Sequence, residues 1–306
     1  MKIIVTGGCG FIGSHVVETL LEEGNTVAVI DNLASGRTEN LDGTRANRKL
    51  GVDLADVRTI HTLRGTFDKA RPEAVIHLAA QPAISTSWTM PFLDAQTNIL
   101  GTLNVIRLAM DYHVKKIVFA STSAVYEPKR WGGAIREDDA LYPDSPYGAS
   151  KMTAETYLRM MFPNYVILRL GNVFGPRQVP LGENQVIPRM IRHFLKGDDF
   201  RIHGDGKQRR DFVYVKDVAE AFVKALYNGR GTFNVATGKS VSIMELAREI
   251  EALYDVPGYA WEHDDTKDAR RDVRLSAGAA ARELAWKPRT SFAQGLRQTI
   301  GWWESQ

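Results

Sequence analysis

A glycine-rich turn near the start of the chain constrains its fold more than any other feature. The apolar run "KIIVTG" leads directly into "GCGFIGSH", so that Gly7, Gly10 and Gly13 recur at a spacing of three. A helical pattern follows, with apolar residues on one face at Val16, Val17, Leu20 and Leu21. Glycines between a strand and a helix let backbone N–H groups and the helix N-terminus approach a pyrophosphate, and the last one permits close packing of helix on strand. The turn therefore predicts a dinucleotide-binding βα unit.

An acidic residue after the second apolar run indicates which dinucleotide the turn would bind. The run "TVAVID" ends at Asp31. A carboxylate at this place suits the ribose diol of NAD and would repel the 2′-phosphate of NADP. NAD is therefore the predicted cofactor, and Arg37 nearby is the feature that leaves NADP open.

Strand-like and helical patterns alternate through the first half of the chain. Further apolar runs lie at 74–80, 116–122 and 165–172. A helix before the second of these three carries apolar residues at helical spacing, namely Ile99, Leu103, Ile106 and Met110. Apolar strands interleaved with helices indicate a parallel sheet with both faces covered. The predicted fold class is α/β, a doubly wound parallel sheet of the Rossmann type.

The alternation loosens beyond residue 172, where a proline-rich stretch is followed by shorter strand and helix patterns. We expect an NAD-binding Rossmann domain over 1–171, with returning elements around 211–238, since "TFNVATG" at 232–238 reads as one more strand. The remainder, 172–306, is predicted to form a smaller, interleaved C-terminal α/β substrate domain.

Composition excludes several classes of protein. The 39 basic and 36 acidic residues leave a formal net charge of only +3, so no strong field for nucleic acid is expected, although "GKQRRDF" at 206–212 could meet a few phosphates. Nowhere do about eighteen apolar residues run together, so no membrane span is predicted. The single cysteine, Cys9, cannot form an internal disulfide, and no paired Cys/His spacing suggests a metal site. A cytoplasmic location fits these features.

The segment "PYGASK" supplies the candidate chemistry. Tyr147 and Lys151 lie four residues apart, so on a helix they share one face. A nearby cation favours the phenolate form of a tyrosine, and such a pair could act as a general base. The fourth apolar run ends in "STSAVY" and brings the hydroxyls of Ser121, Thr122 and Ser123 to the same crevice.

Together these ordered motifs resemble the extended short-chain dehydrogenase/reductase family, specifically its NAD-dependent nucleotide-sugar epimerases of the UDP-glucose 4-epimerase kind. The resemblance extends from the glycine loop to "ARELAWKPRTSF" near the C-terminus. It implies that Tyr147 is the base, that Lys151 holds the nicotinamide ribose and lowers the pKa of the tyrosine, and that Thr122 is the assisting hydroxyl.

The resemblance also implies the binding residues. For the cofactor these are Gly7, Gly10, Phe11, Ile12, Gly13, Asp31, Asn32, Asp53, Leu54, Leu78, Ala79, Ala80, Asn98 and Lys151. For the nucleotide sugar they are Thr122, Tyr147, Asn172, His203, Arg210, Arg270 and Ser276. His203 would stack on uracil in place of the usual aromatic ring, and Arg270 would substitute for a family arginine that is Ala269 here. Glu127 replaces a usual glycine, and nothing in the sequence explains that change.

The implied reaction is 4-epimerisation of UDP-glucose and UDP-galactose by transient oxidation at C4. The related 4,6-dehydratases follow the threonine with an acid pair, and sugar-acid decarboxylases carry a glutamate there, whereas this chain has Ser123 and Ala124. The resemblance also implies that Ser276 borders the sugar, where its small side chain would leave volume for an acetamido group, so UDP-N-acetylhexosamines are also expected as substrates.

Other readings stay open. UDP-glucuronate could be the substrate, the enzyme could be a dehydratase or a net reductase of the same family, and a non-catalytic NAD-binding regulator would share the glycine loop. The joint presence of Tyr147, Lys151 and Thr122 favours an enzyme over the regulator. The family resemblance further implies a homodimer joined through the helices at roughly 94–111 and 147–161.

Overall fold

The computed structural model describes residues 1–127, 133–180, 185–265 and 272–306. Its strands are, in chain order, β1 (Lys2–Thr6), β2 (Thr26–Asp31), β3 (Leu50–Leu54), β4 (Ala74–His77), β5 (Lys116–Thr122), β6 (Tyr165–Leu170), β7 (Asn172–Phe174), β8 (Ile202–His203), β9 (Arg209–Arg210), β10 (Phe212–Tyr214), β11 (Gly231–Val235), β12 (Val241–Ser242), β13 (His263–Asp264) and β14 (Asp272–Val273).

Helices separate most of these strands. The α-helices are α1 (Phe11–Glu22), α2 (Ile60–Ala70), α3 (Ile84–Thr89), α4 (Pro91–Ala95), α5 (Gly101–Asp111), α6 (Pro146–Met161), α7 (Val186–Lys196), α8 (Val215–Tyr227), α9 (Ile243–Leu253), α10 (Gly278–Glu283) and α11 (Phe292–Glu304). Short 3-10 helices span Thr38–Thr44 and Ser123–Val125, and a π-helical segment, Gln96–Leu100, joins α4 to α5. Within the described ranges, no helix is long and apolar enough to cross a bilayer.

A seven-stranded sheet forms the centre of the molecule, in the order β11-β6-β5-β4-β1-β2-β3. Every neighbouring pair in it is parallel. The chain builds outward from β1 through β2 to β3, then crosses to the other side of β1 at β4. A crevice therefore opens at the carboxyl ends of β1 and β4, where ligands bind in sheets of this kind.

Both faces of the sheet are covered, and this is why its central strands are largely apolar and almost entirely buried. All four residues of β4 are buried. One face packs on α1 and α8, with a cluster that includes Val17, Leu20 and Phe222. The other packs on α2, α5 and α6, with a cluster that includes Phe67 and Leu158. The predicted doubly wound α/β fold is confirmed.

A smaller region is built on a third apolar cluster, which joins α7, α9 and α11 through residues such as Met190, Leu246 and Leu296. Its strands form short sheets, β10-β7, β12-β9-β14 and β13-β8. Strand β11 belongs to the large sheet, where it pairs with β6, although it lies beyond residue 171 in the chain. The division at 171/172 stays a prediction.

Candidate active site

The glycine turn between β1 and α1 is packed too tightly for side chains. Gly7 has φ of +71°, and a Cβ on it would lie 2.7 Å from the backbone nitrogen of Ala79. A Cβ on Gly13 would lie 2.0 Å from the carbonyl oxygen of Gly7. Gly10 precedes α1 and has no side chain that could cap it. The turn therefore presents bare backbone N–H groups at the positive end of a helix, which is the arrangement that binds phosphate groups.

A cavity of about 820 Å³ opens beside this turn. The predicted residues that line it are Gly7, Gly10, Phe11, Ile12, Gly13, Asp31, Asn32, Leu78, Ala79, Ala80, Tyr147 and Lys151. They come from the carboxyl ends of β1, β2 and β4, from the first turn of α1 and from the first two turns of α6. The structure thus brings the dinucleotide motif and the tyrosine–lysine pair into one cavity.

Asp31 ends β2 and is held by backbone donors. One of its carboxylate oxygens accepts from the backbone N–H of Cys9 at 2.9 Å, and the other accepts from that of Leu33 at 2.8 Å. Burial raises the pKa of Asp31, and these hydrogen bonds act in the opposite direction. A carboxylate fixed in this way at the cavity wall, next to Asn32, suits a ribose diol.

Helix α6 presents the tyrosine–lysine pair. Ser145 caps the helix by accepting from the N–H of Gly148 at 3.2 Å, and Pro146 occupies its first turn. Tyr147 therefore lies in the first turn of the helix, and Lys151 follows one turn later with its Nζ 4.2 Å from the centre of the Phe119 ring. Both side chains line the cavity.

Burial dominates the ionisation of the pair. It raises the pKa of Tyr147 to about 12, and the interaction with the Thr122 hydroxyl lowers that pKa only in part. It lowers the pKa of Lys151 to about 7, although nearby carboxylates act in the opposite direction. The net direction is upward because desolvation outweighs the hydrogen bond that favours the phenolate, and the lowering of the pKa of Tyr147 by Lys151 stays a prediction.

Comparison with known proteins agrees with this geometry. Residues 3–236 match the NAD dependent epimerase/dehydratase family. A UDP-glucose 4-epimerase of Mycolicibacterium smegmatis is 35% identical, over 98% of this chain and 97% of the relative.

The chain belongs to the NAD-dependent epimerase/dehydratase family.

Solved structures of this family superpose closely on the chain. The UDP-glucose 4-epimerase of Thermotoga maritima, solved with UDP-glucose, has a TM-score of 0.93 at 35% identity and covers 100% of this chain and 99% of that one. The UDP-glucose 4-epimerase of Thermus thermophilus, solved with NAD, has a TM-score of 0.90 at 36% identity and covers 99% of both chains. The predicted family, the predicted enzyme class and NAD as cofactor are thereby confirmed.

The residues of this epimerase/dehydratase fit NAD. Tight glycines at Gly7 and Gly13 let a pyrophosphate reach the N-terminus of α1, and Asp31 offers its carboxylate to a ribose at the end of β2. Lys151 and Tyr147 would lie at the nicotinamide end of the cavity, since they follow β5 on the other side of the crevice.

Some predicted cofactor residues do not line the cavity. The carboxylate of Asp53 lies 3.3 Å from Nζ of Lys69, and Leu54 is 66% exposed. Asn98 lies behind the wall, where its amide donates to Ser150 Oγ at 3.1 Å and to Asp94 at 3.0 Å. Asn98 lies in the π-helical segment, and π-bulges are frequent at functional sites.

The predicted sugar-site residues are dispersed over the smaller region and its border. The cavity walls do not include Asn172, His203, Arg210 or Ser276, nor Thr122, whose oxygen accepts from the N–H of Ala124 at 3.2 Å. Nδ1 of His203 lies 2.7 Å from Asp264 Oδ2. Arg270 lies outside the described residues. The roles of these residues stay predictions.

Other residues of the cavity wall were not predicted from the sequence. They include Gln81, Arg177, Gln178 and Trp302. Arg177 has φ of +68° and is held by Glu18 on α1. Both Arg177 and Gln178 lie just beyond the end of β7. They could have been predicted from the rule that ligands bind beyond the carboxyl ends of strands. Nothing local marks Trp302, which lies on the C-terminal helix α11.

Proposed function

We propose that this protein is a UDP-sugar 4-epimerase that inverts C4 through a transient 4-ketone. The observation that carries the proposal is that Tyr147 and Lys151 line the same cavity as the glycine turn and Asp31. A proton acceptor and a hydride acceptor must meet at one sugar carbon, and this cavity offers both places together.

NAD, when bound, supplies the group that takes a hydride from C4 of the sugar and later returns it. Tyr147 removes the proton of the 4-hydroxyl as that carbon is oxidised, and it gives the proton back when the ketone is reduced on its opposite face. Thr122, which interacts with the Tyr147 side chain, shares the hydrogen bond to the sugar oxygen. Lys151 donates to the nicotinamide ribose and stabilises the phenolate by its charge.

The side chains after Thr122 support epimerisation over elimination of water. Loss of water needs a further proton donor and acceptor beside the sugar. Ser123 and Ala124 stand at the relevant positions, and Ala124 is buried with a methyl side chain. The ketone therefore meets no acid pair here and returns to an alcohol.

The substrate class is a uridine diphosphate hexose, including N-acetylhexosamines. The relative from Thermotoga maritima was solved with UDP-glucose and shares the fold over the full chain. Ser276 supports the wider range, because the resemblance places it beside the sugar and its small side chain would leave room for an acetamido group.

The proposal includes a homodimer through α5 and α6 and their neighbours. Large apolar side chains are exposed on this side of the molecule, including Phe92 at 85% and Met160 at 79%. Exposed apolar patches of this kind mark protein interfaces. Sedimentation of the purified protein, with Phe92→Asp and Met160→Asp variants, tests the dimer: a monomeric wild type contradicts it.

NMR of the products formed from a panel of UDP-sugars, without added NAD, tests the reaction. We expect interconversion at C4 with no net change in absorbance of the reduced cofactor. Tyr147→Phe should reduce turnover by about 10²–10⁴-fold, the usual contribution of a general base. Tyr227→Phe, on α8 and 54% exposed, is the control for removal of a phenol hydroxyl and should keep full activity. Undiminished turnover in Tyr147→Phe would refute the mechanism.

A further inference from the structure

Two buried carboxylates belong to the elements that hold Lys151. Glu155 follows Lys151 by four residues on α6, so it lies one turn further on the same side of the helix, and it is fully buried. Asp94 lies on α4, which packs against α6, and is 1% exposed. Ionised groups are seldom buried so completely unless they are paired or hydrogen-bonded. The question for each carboxylate is therefore which groups stabilise its charge.

Glu155 links the wall of the cavity to the central sheet. It accepts a hydrogen bond from Ser121 Oγ at 2.5 Å, and Ser121 lines the cavity. Arg169, on β6, donates to the same carboxylate through Nε at 3.0 Å and Nη2 at 2.7 Å. Arg159 donates to it from one turn further along α6. These donors fix the carboxylate in one orientation, one turn beyond Lys151 on α6.

Asp94 is fixed in a similar way on the other side. Its Oδ1 accepts from Gln81 Nε2 at 2.9 Å and from Asn98 Nδ2 at 3.0 Å. Gln81 lines the cavity. The Asn98 amide also donates to the hydroxyl of Ser150, the residue before Lys151. A chain of hydrogen bonds therefore joins Asp94 to the turn of α6 that carries the lysine.

We propose that Asp94 and Glu155 are positioning residues that favour the ammonium form of Lys151 and fix the turns of α6 that carry it, so that Lys151 can hold the nicotinamide ribose. The inference rests on the proposed function, because a charged lysine matters there to the cofactor and to the tyrosine.

The charges around Lys151 agree in sign with this role. Burial disfavours the ammonium and Glu155 and Asp94 favour it, and the pKa of Lys151 is lowered on balance to about 7. Glu155, Asp94 and His77 interact electrostatically with Lys151, Tyr147 lies one turn earlier on the same helix, and Arg169 is bound to the Glu155 carboxylate. Burial lowers the pKa of His77 to about 3, so it is neutral and adds no positive charge near the lysine.

Removal of either carboxylate charge should therefore lower the pKa of Lys151 further. Since activity needs the ammonium form of Lys151, activity is lost as pH rises through the pKa of Lys151. In the variants the alkaline limb of kcat/KM should therefore move to lower pH. We expect Glu155→Gln and Asp94→Asn each to move this limb down by about one pH unit, at the low end of the effect of a neighbouring charge. Glu155→Asp keeps the charge and should restore the limb.

A second readout does not depend on turnover. The affinity for NADH, followed by the fluorescence of the bound nicotinamide across neutral and alkaline pH, should weaken at lower pH in both variants than in the wild type. Glu251→Gln is the matched control, because that buried carboxylate accepts from Trp261 Nε1 at 2.6 Å in a different part of the core. It should lose stability and leave both pH profiles in place.

The outcomes separate the two proposals. Unmoved profiles for both the activity and the NADH affinity of the variants would overturn the positioning role. Glu155→Gln could fail to fold because it leaves the Arg169 charge without its carboxylate. In that case Asp94→Asn alone tests the positioning role, because the partners of Asp94 are neutral amides and its replacement leaves no buried charge unpaired. A wild type that binds NADH with the expected pH dependence but turns over none of the UDP-sugars would contradict the proposed function and leave the positioning role supported.

Discussion

Replacement of Gly13 by alanine tests how the glycine turn builds the cofactor site. The added Cβ would lie 2.0 Å from the oxygen of Gly7, 2.8 Å from its carbonyl carbon and 2.9 Å from Cα of Gly8. All three neighbours are backbone atoms, so no side-chain rotation can relieve the contact. Because carbon and oxygen ordinarily approach to about 3.3 Å, the turn must move by more than about 1 Å relative to α1.

The expected loss in the free energy of unfolding follows from these contacts. Overpacking of a tight site costs about 1–3 kcal/mol, and rigid backbone places this substitution at the upper end. Alanine recovers about 0.4–1 kcal/mol by restricting the unfolded chain. A net loss of about 2 kcal/mol corresponds to a fall in Tm of about 3 °C for a chain of this size. The displaced turn should also lose bound NAD.

Thermal unfolding and the NAD content of the purified protein measure the two effects. Gly65→Ala is the control, since a Cβ at that helical position on α2 meets nothing within 4 Å. It should stabilise the protein by about 0.5–1 kcal/mol, the usual gain from replacing glycine in a helix. Wild-type Tm and full NAD content in Gly13→Ala would refute the argument that close backbone packing is what requires a glycine here.

Other predictions follow from single side chains. Burial lowers the pKa of His77 to about 3, so below about pH 7 the unfolded chain binds a proton that the folded chain does not. Stability should therefore fall as pH drops from about 7 to about 5. The contribution of His77 is at most about 1.4 kcal/mol per pH unit. Urea unfolding measures the slope, and His77→Gln should reduce it; an unchanged slope contradicts the assignment. Arg169→Met removes the buried ion-pair partner of Glu155, leaves the carboxylate with the 30% exposed Arg159, and should cost about 3–5 kcal/mol. Loss of Arg159 should cost less than about 1 kcal/mol, and equal losses in urea unfolding would count against the buried pair. Ser276→Tyr should abolish turnover of UDP-N-acetylhexosamines while sparing UDP-glucose, and equal loss on both sugars would remove Ser276 from the sugar pocket.

Much of the candidate site could be predicted because its signals are local in the chain. The glycines, Asp31 and the Tyr147–Lys151 pair each follow from residues within one or two turns of a helix or at the end of one strand. The spacing of four that relates Tyr147 to Lys151 also relates Lys151 to Glu155, so Glu155 could have been predicted from the same helical pattern. Strand ends and first helical turns converge on one crevice in a doubly wound sheet, so their combination is predictable as well.

Only the tertiary structure decides what lies behind and around those residues. Asp94, Gln178 and Trp302 reach the site from segments far apart in sequence, and no periodicity within a helix or strand relates them. The same holds for the pKa of Tyr147, because the sequence shows the neighbouring lysine but not the depth of burial that raises this pKa to about 12. The amino-acid sequence thus determined the fold, the cofactor and the reactive pair through short-range patterns. The walls and the electrostatics of the cavity depend on which distant side chains exclude water from it, and this depends on the packing of the whole chain.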